Sequence, residues 1–343
     1  MLQLSSNVVV RKCGLEIMKA SIKALLDNYQ VRKTRKQKQA FINWLKKHAE
    51  EHGYQLDEQV YKKNSGKNLI VGDPQTADIF LTAHYDTPPN ALFPIATFVG
   101  NIPLYLLSQL LIFIPIIAIA WFIHFLTQAF FNDLDFLSAM TPFFWFEIPL
   151  LSFILLILWC IQMMFGFANR KNANDNTSGV SVLLSVLEDL PTEQRNRVCF
   201  VFFDEEEKGL IGSKKFKERY QSEVRHKPLI NFDCVAHGSH LMFITKKEFR
   251  KSKFNTLLSE VTQQPALAGN SILIKEARKY VYPSDQLLFK NSVGVTVVHK
   301  IPLLGYYLSR LHASFDSKFN FNHIENLNLI MIEFINKMTD LDE

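Results

Sequence analysis

Val198-Cys199-Phe200-Val201-Phe202-Phe203-Asp204-Glu205-Glu206-Glu207-Lys208-Gly209-Leu210-Ile211-Gly212-Ser213 passes from an unbroken apolar run into a row of acids and then into glycine-punctuated sequence. An apolar run of that length, rich in Val and Phe, reads as a strand buried on both faces, as in the parallel part of an α/β sheet. Ligand-binding groups of such sheets gather beyond the carboxyl ends of the strands. Two more strand-like runs end the same way, Asp78–Ala83 in His84-Tyr85-Asp86 and Leu229–Phe232 in Asp233.

Working outward, Leu15–Tyr29 and Thr34–His52 read as helices, the second opening with Thr34 and Gln37 at capping-box spacing and stopping at Gly53. Leu56–Lys62 reads as a strand, and Ser178–Leu190 as an amphipathic helix closed by Pro191. Strand and helix signals alternate through His240–Ile244, Phe254–Val261, Ile272–Ile274 and Val293–Val298. The fold class expected is α/β, with a central mixed, mostly parallel sheet flanked by helices.

That pattern is interrupted. Between Ala91 and Asn169 there is no Lys or Arg, and Ala91–Phe131 and Phe143–Phe167 are almost wholly apolar, Glu147 being the one charged residue of the second stretch. Each stretch exceeds the roughly 20 residues that span a bilayer, and neither carries the polar stripe of a soluble core helix. Gly100, Asn101 and Pro103 divide the first into an interfacial or re-entrant piece, Ala91–Asn101, and a span from about Leu104 to Phe125; the second span runs from about Ile148 to Phe167. Trp121, Trp145 and Trp159 are candidate interfacial anchors. The chain thus divides into residues 1–90, with N-terminal helices and the start of the soluble domain, a transmembrane hairpin at 91–169, and the rest of the soluble domain at 170–343.

A formal charge of +5, from 38 basic and 33 acidic residues, gives no strong field and argues against a nucleic-acid partner. The basic run Arg32–Lys38 reads as a solvated helix face or as a contact for anionic headgroups. Cys13, Cys160, Cys199 and Cys234 lack metal-site or disulfide spacing. Lys12, Glu16, Lys19 and Lys23 break any signal-peptide pattern, so the N-terminus is expected to stay in the cytoplasm. No pattern in the chain dictates an oligomeric state.

His84, Asp175, Glu207, Asp233 and His312 are candidate metal ligands, a mixture of imidazole and carboxylate suited to a hydrolytic zinc pair. Asp86, two residues beyond His84, can accept the other ring N–H of that histidine. If His84 and Asp175 serve one site, both emerge on the same membrane face, so the segment between them crosses an even number of times. Arg170 and Lys171 follow the second span and place that face in the cytoplasm. Only a short loop around Asn132–Pro142 is then left outside.

From about Thr34 to Glu325 these fragments resemble the M28 metallopeptidases, zinc-dependent aminopeptidases and related exopeptidases. His84-Tyr85-Asp86 is similar to the family's first ligand and its neighbouring Asp, and Asp175-Asn176-Thr177-Ser178-Gly179 to the segment whose leading Asp bridges the metals. Glu206-Glu207-Lys208-Gly209-Leu210-Ile211-Gly212-Ser213 resembles the segment of general base and ligand, in that order, while the register pairing Glu205 with Glu206 remains open. Asp233 and His312, within His312-Ala313-Ser314-Phe315-Asp316-Ser317, complete the set. Tyr282-Pro283-Ser284-Asp285-Gln286 is similar to a pocket-bordering segment, with Gln286 where His is common; Tyr282 or the equally near Tyr280 is a candidate hydrogen-bond donor.

The resemblance implies a zinc exopeptidase fold, two Zn2+ ions (or Co2+ or Mn2+) and catalytic residues Glu206 and Asp86. The activity implied is removal of N-terminal residues from short peptides; the apolar hairpin, and not the resemblance, places the enzyme in the cell membrane, so the partners expected are those peptides and the lipid bilayer. Glu206 takes a proton from the attacking water and hands it to the departing amine. Alternatives on the same fold are another amide hydrolase or carboxypeptidase, a glutaminyl cyclase, and a non-catalytic receptor or scaffold.

Overall fold

Four parallel strands carry the centre of the fold, in the order β5 (Val198–Phe203), β3 (Ile79–His84), β6 (Leu229–Phe232) and β9 (Ser292–Ile301). The computed structural model describes residues 18–63, 66–91, 95–111, 113–131, 141–267 and 269–338. Beyond the centre the sheet turns antiparallel. On one side lie β2 (Gly66–Val71) and β1 (Leu56–Lys62), and on the other β10 (Gly305–Leu311) and β4 (Ile95–Val99). β7 (His240–Thr245) branches from β9 and carries β8 (Ile272–Glu276).

Successive side chains of a strand face opposite ways, and β5 shows what this does. Phe200 and Phe202 enter the larger core, which also takes in Phe41 and Leu45 of helix Arg35–Glu51, Val186 of helix Gly179–Asp189 and Phe334 of helix Phe321–Met338. Cys199, Val201 and Phe203 enter the other core, against Phe216 of helix Ile211–Arg219 and Phe289. Helices therefore cover both faces. The capping box at Thr34 and Gln37 is formed in both directions and fixes where helix Arg35–Glu51 starts.

Several expectations are corrected. Within Ala91–Asn101, residues Ile95–Val99 form edge strand β4, paired with β10 through Tyr306↔Val99 and Tyr307↔Phe98, where an interfacial or re-entrant piece was expected. An apolar environment hides the strand signal there, because alternation needs polar residues to show. The basic run Arg32–Lys38 is neither a solvated face nor a headgroup contact at its ends: Arg32 is fully buried, and the Lys38 ammonium pairs with the buried Asp204 carboxylate. Trp159 is buried against Ala91 and Ile116, whereas Trp121 is exposed.

Past β4 come helices Ile102–Leu111, Phe113–Phe131 and Thr141–Phe165. Among the described residues, one stretch, Ile102–Leu126, is long and apolar enough to cross a membrane; the second apolar helix qualifies only over the shorter Leu150–Gln162. Leu106, Phe122, Phe125 and Phe153 stand more than half exposed, a surface poorly suited to water. The outward loop expected around Asn132–Pro142 falls outside the described residues up to Met140, as do the side chains of Trp145 and Glu147.

Candidate metal centre

The carboxyl ends of β3, β5 and β6 bring His84, Glu206, Glu207 and Asp233 to one place. Asp175 arrives from the turn before helix Gly179–Asp189, and His312 directly follows β10. Together they line a cavity of about 340 Å³. The His84 Nε2 atom lies 3.3 Å from Asp175 Oδ1 and 3.6 Å from Asp233 Oδ1. His312 Nε2 lies 3.3 Å from Asp175 Oδ2 and 3.2 Å from Glu207 Oε2. The two oxygens of Asp175 thus face two separate groups, one with His84 and Asp233, the other with Glu207 and His312.

Asp86 sits behind these residues. Its Oδ1 lies 3.5 Å from His84 Nδ1 and accepts the Glu206 N–H at 3.1 Å, while Oδ2 accepts the Glu207 N–H at 3.3 Å. One carboxylate therefore aims both the histidine and the acidic loop. Glu205 turns away from the cavity, buried against Lys208 Nζ at 2.8 Å, so Glu206 and Glu207 are the pair that reaches it.

The loops are held in uncommon backbone conformations. Glu205 (φ 55°), Cys234 (φ 55°) and His312 (φ 55°) are left-handed although none is glycine, and each adjoins or is a candidate functional residue. Such residues cost of order 1 kcal/mol or more and persist where the surroundings dictate them. The Asp175-Asn176 peptide is cis.

Burial raises the Glu206 carboxyl well above the usual range, with His84 opposing and Glu207 adding to the shift. Glu207 is raised too, first by burial and then by Asp175. Buried carboxylates so crowded call for positive charge, and the two histidines are the only cationic candidates that touch them among the described contacts. Asp233 Oδ1 is buried without a hydrogen-bond partner. Imidazole and carboxylate donors clustered within 4.8 Å of one another are the set that divalent zinc takes. The residues present fit a metal.

Several supporting groups stand outside the candidate ligands and base. Arg32 donates to Tyr85 O (2.5 Å) and Thr177 Oγ1 (3.2 Å), and its backbone N–H to Thr87 Oγ1 (2.7 Å), joining the His84 loop to the Asp175 loop. Burial lowers its pKa to about 10 against the pull of Asp86. Asp316 accepts the N–H groups of Asn174 (3.2 Å) and Asp175 (3.1 Å), and burial raises it to about 7. Asp285, fully buried behind the acidic loop, is likewise raised to about 7. The Tyr282 side chain lines the cavity and its hydroxyl donates to Asp233 O at 2.9 Å, while Tyr280 packs near Gly100 and Tyr306.

Residues 164–333 match the model of peptidase family M28. That segment belongs to the family. The matched segment carries Asp175, Glu206, Glu207, Asp233 and His312, while His84 and Asp86 join them from upstream through β3. No curated protein sequence matches the chain. Among solved structures its fold is similar to the LapA aminopeptidase of Legionella pneumophila, at 13% identity over 93% of this chain and 70% of that one with a TM-score of 0.53. It is also similar to LapB of the same organism (14%, 93% and 70%, TM-score 0.51) and to the glutaminyl cyclase of Porphyromonas gingivalis (14%, 92% and 95%, TM-score 0.55). At these identities the likeness is one of fold, and the M28 membership makes the chain a metallopeptidase.

Proposed function

We propose that this M28 chain is a membrane-anchored di-zinc aminopeptidase that removes N-terminal residues from short peptides on the cytoplasmic side. The observation that carries the reading is Asp175, whose two oxygens face two distinct ligand groups around one cavity. His84 and Asp233 would hold one ion, Glu207 and His312 the other, and Asp175 would bridge them. When bound, such ions lower the pKa of water and polarise a carbonyl. Glu206 reaches the same cavity, with a carboxyl whose burial favours holding a proton. It takes the proton of the attacking water and delivers it to the departing amine. Asp86 holds the Glu206 and Glu207 N–H groups and so keeps the base and its neighbour in place. The surrounding carboxylates give the substrate's free α-ammonium a place to bind, which favours exopeptidase action.

Cyclisation of N-terminal glutamine is the second reading, favoured by the likeness in fold to a glutaminyl cyclase over nearly the full length of both chains. Two ligand groups in place of one weigh toward hydrolysis.

The test is a panel of aminoacyl fluorogenic substrates, with free and blocked amino groups, on detergent-purified protein before and after chelation. Hydrolysis confined to free amino groups, lost with chelator and restored by Zn2+, is expected. Glu206→Gln is expected to keep its metal and lose about 10²- to 10⁴-fold in turnover. Activity on blocked substrates alone defeats the aminopeptidase reading, and conversion of N-terminal Gln to pyroglutamate without hydrolysis selects the cyclase.

A further inference from the structure

The metal-lined cavity is only partly made by the peptidase fold. Tyr105 and Gln109 from helix Ile102–Leu111 and Trp159 from helix Thr141–Phe165 form part of its wall, together with Leu308 and Leu311 of β10. Three of the inserted hairpin's side chains therefore look onto the same space as His84 and Glu206. Trp159 is held for this, 7% exposed and packed with Ala91 and Ile116.

The hairpin is also tied to the metal centre through the backbone. Ala91 N–H donates to His312 O at 2.8 Å, Gln162 Nε2 to Asn90 O at 3.1 Å, and β4 pairs with β10 through Leu311↔Ile95, one residue before His312. A shift of the hairpin would move a candidate ligand. These bonds make the wall a fixed surface and not a lipid anchor that happens to pass nearby.

We infer that the inserted hairpin forms the specificity pocket of the enzyme, and that its ligand is the apolar side chain of the substrate's first residue. This rests on the aminopeptidase reading. The polar end of the cavity, with Asp233, Glu206 and Glu207, takes the α-ammonium and scissile bond. The rest of the lining includes an indole, a phenol ring and two leucines, surfaces that reward burial of Leu or Phe by about 25 cal/mol per Å² and offer a charged side chain no opposite charge. A volume of about 340 Å³ suits one or two residues. The substrates are then short peptides beginning with a large apolar residue, chemistry that concentrates such peptides at a membrane surface beside the cavity.

The experiment measures kcat/KM on unblocked Leu-, Phe-, Ala- and Lys-aminoacyl substrates with the full chain in detergent. It compares the natural protein with Trp159→Ala, Gln109→Leu and, as control, Leu158→Ala, a residue 54% exposed on the outer side of the same helix. Natural protein is expected to prefer Leu and Phe over Ala and Lys. Trp159→Ala is expected to cut the Leu/Ala ratio by about tenfold or more, Gln109→Leu to raise it, and Leu158→Ala to leave it unchanged. Should Trp159→Ala lose its metal through misfolding, the Gln109→Leu ratio decides. Normal hydrolysis with ratios unmoved by both wall variants overturns the hairpin pocket while leaving the aminopeptidase reading standing. No hydrolysis of any unblocked substrate by the natural protein overturns both.

Discussion

Asp204 shows how a single residue outside the ligand set holds the site. Its carboxylate accepts the Glu205 N–H at 2.9 Å and the Lys67 N–H at 3.2 Å and pairs with Lys38, which fixes the left-handed turn that launches Glu206 and Glu207. Burial pushes this carboxyl up to about 6 even with Lys38 opposing. Lys38→Met leaves the charge buried without its partner, a change that costs about 3–5 kcal/mol in comparable pairs. Thermal unfolding of the purified protein should show that loss, and Lys38→Met with Asp204→Asn should be less destabilised than Lys38→Met alone. Without Lys38 the folded-state pKa rises further above the unfolded value of about 3.9, so the folded chain binds the proton first as pH falls and the deficit shrinks on acidification. An equal deficit in the double variant, or one that grows toward acid, contradicts the role given to the pair. At this scale the sequence was legible in its unusual clusters of residue types, in that His84, Asp175, Glu206, Glu207, Asp233 and His312 converge on one cavity. It was illegible for Arg32 and Lys38. A basic run looks the same in a sequence whether its charges meet solvent or a buried carboxylate 166 residues away, as Lys38 does.

The elements explain which parts of the fold could be read. β3, β5 and β6 are buried on both sides along their whole length, so their sequences are continuous apolar runs. β10 is half-exposed with mixed composition, and β4 lies inside an apolar insertion where no contrast marks a strand; both escaped sequence reading. The turn after β5 was legible through its glycines, and they do different jobs. Gly212 has no room for a side chain, since a Cβ would lie 2.2 Å from Asp204 O and 2.5 Å from Asn68 Oδ1. Gly209 has open space around it and is required only for its φ of +97°. Gly209→Ala is expected to cost about 1–2 kcal/mol, the left-handed penalty alone. Gly212→Ala should cost more and should also lower metal content, because the carbonyl it displaces belongs to the loop that carries Glu206 and Glu207. Melting temperature and bound zinc for the two variants check this order; the reverse order would mean that close packing beneath the acidic turn is not what holds it.

For the whole molecule, the path of the hairpin is set by its ends. Asn90 N–H donates to Phe167 O at 2.8 Å, and Asn169 N–H to Pro88 O at 3.0 Å, so the chain departs and returns side by side next to the metal centre. Whatever membrane it meets, it is crossed an even number of times. Ile102–Leu126, at 25 residues and 1.5 Å per residue, reaches about 37 Å, more than a hydrocarbon core of about 30 Å. A crossing outward along that stretch obliges a crossing back, and helix Thr141–Phe165 is the segment placed to make it. The connecting residues include Asp133 and Asp135 and no basic residue, while Arg170 and Lys171 flank the return, the charge asymmetry that the proposed orientation, loop outside and peptidase domain inside, requires. Ser138→Cys, in the connection, should therefore react with a membrane-impermeant maleimide on intact cells, above the background of the natural cysteines. Ser222→Cys, exposed on the peptidase domain, should react only after permeabilisation. Labelling of both positions only after permeabilisation would show a hairpin lying along the cytoplasmic face. Labelling of Ser222→Cys on intact cells would put the metal centre outside, and the peptides it meets would then be those of the cell exterior.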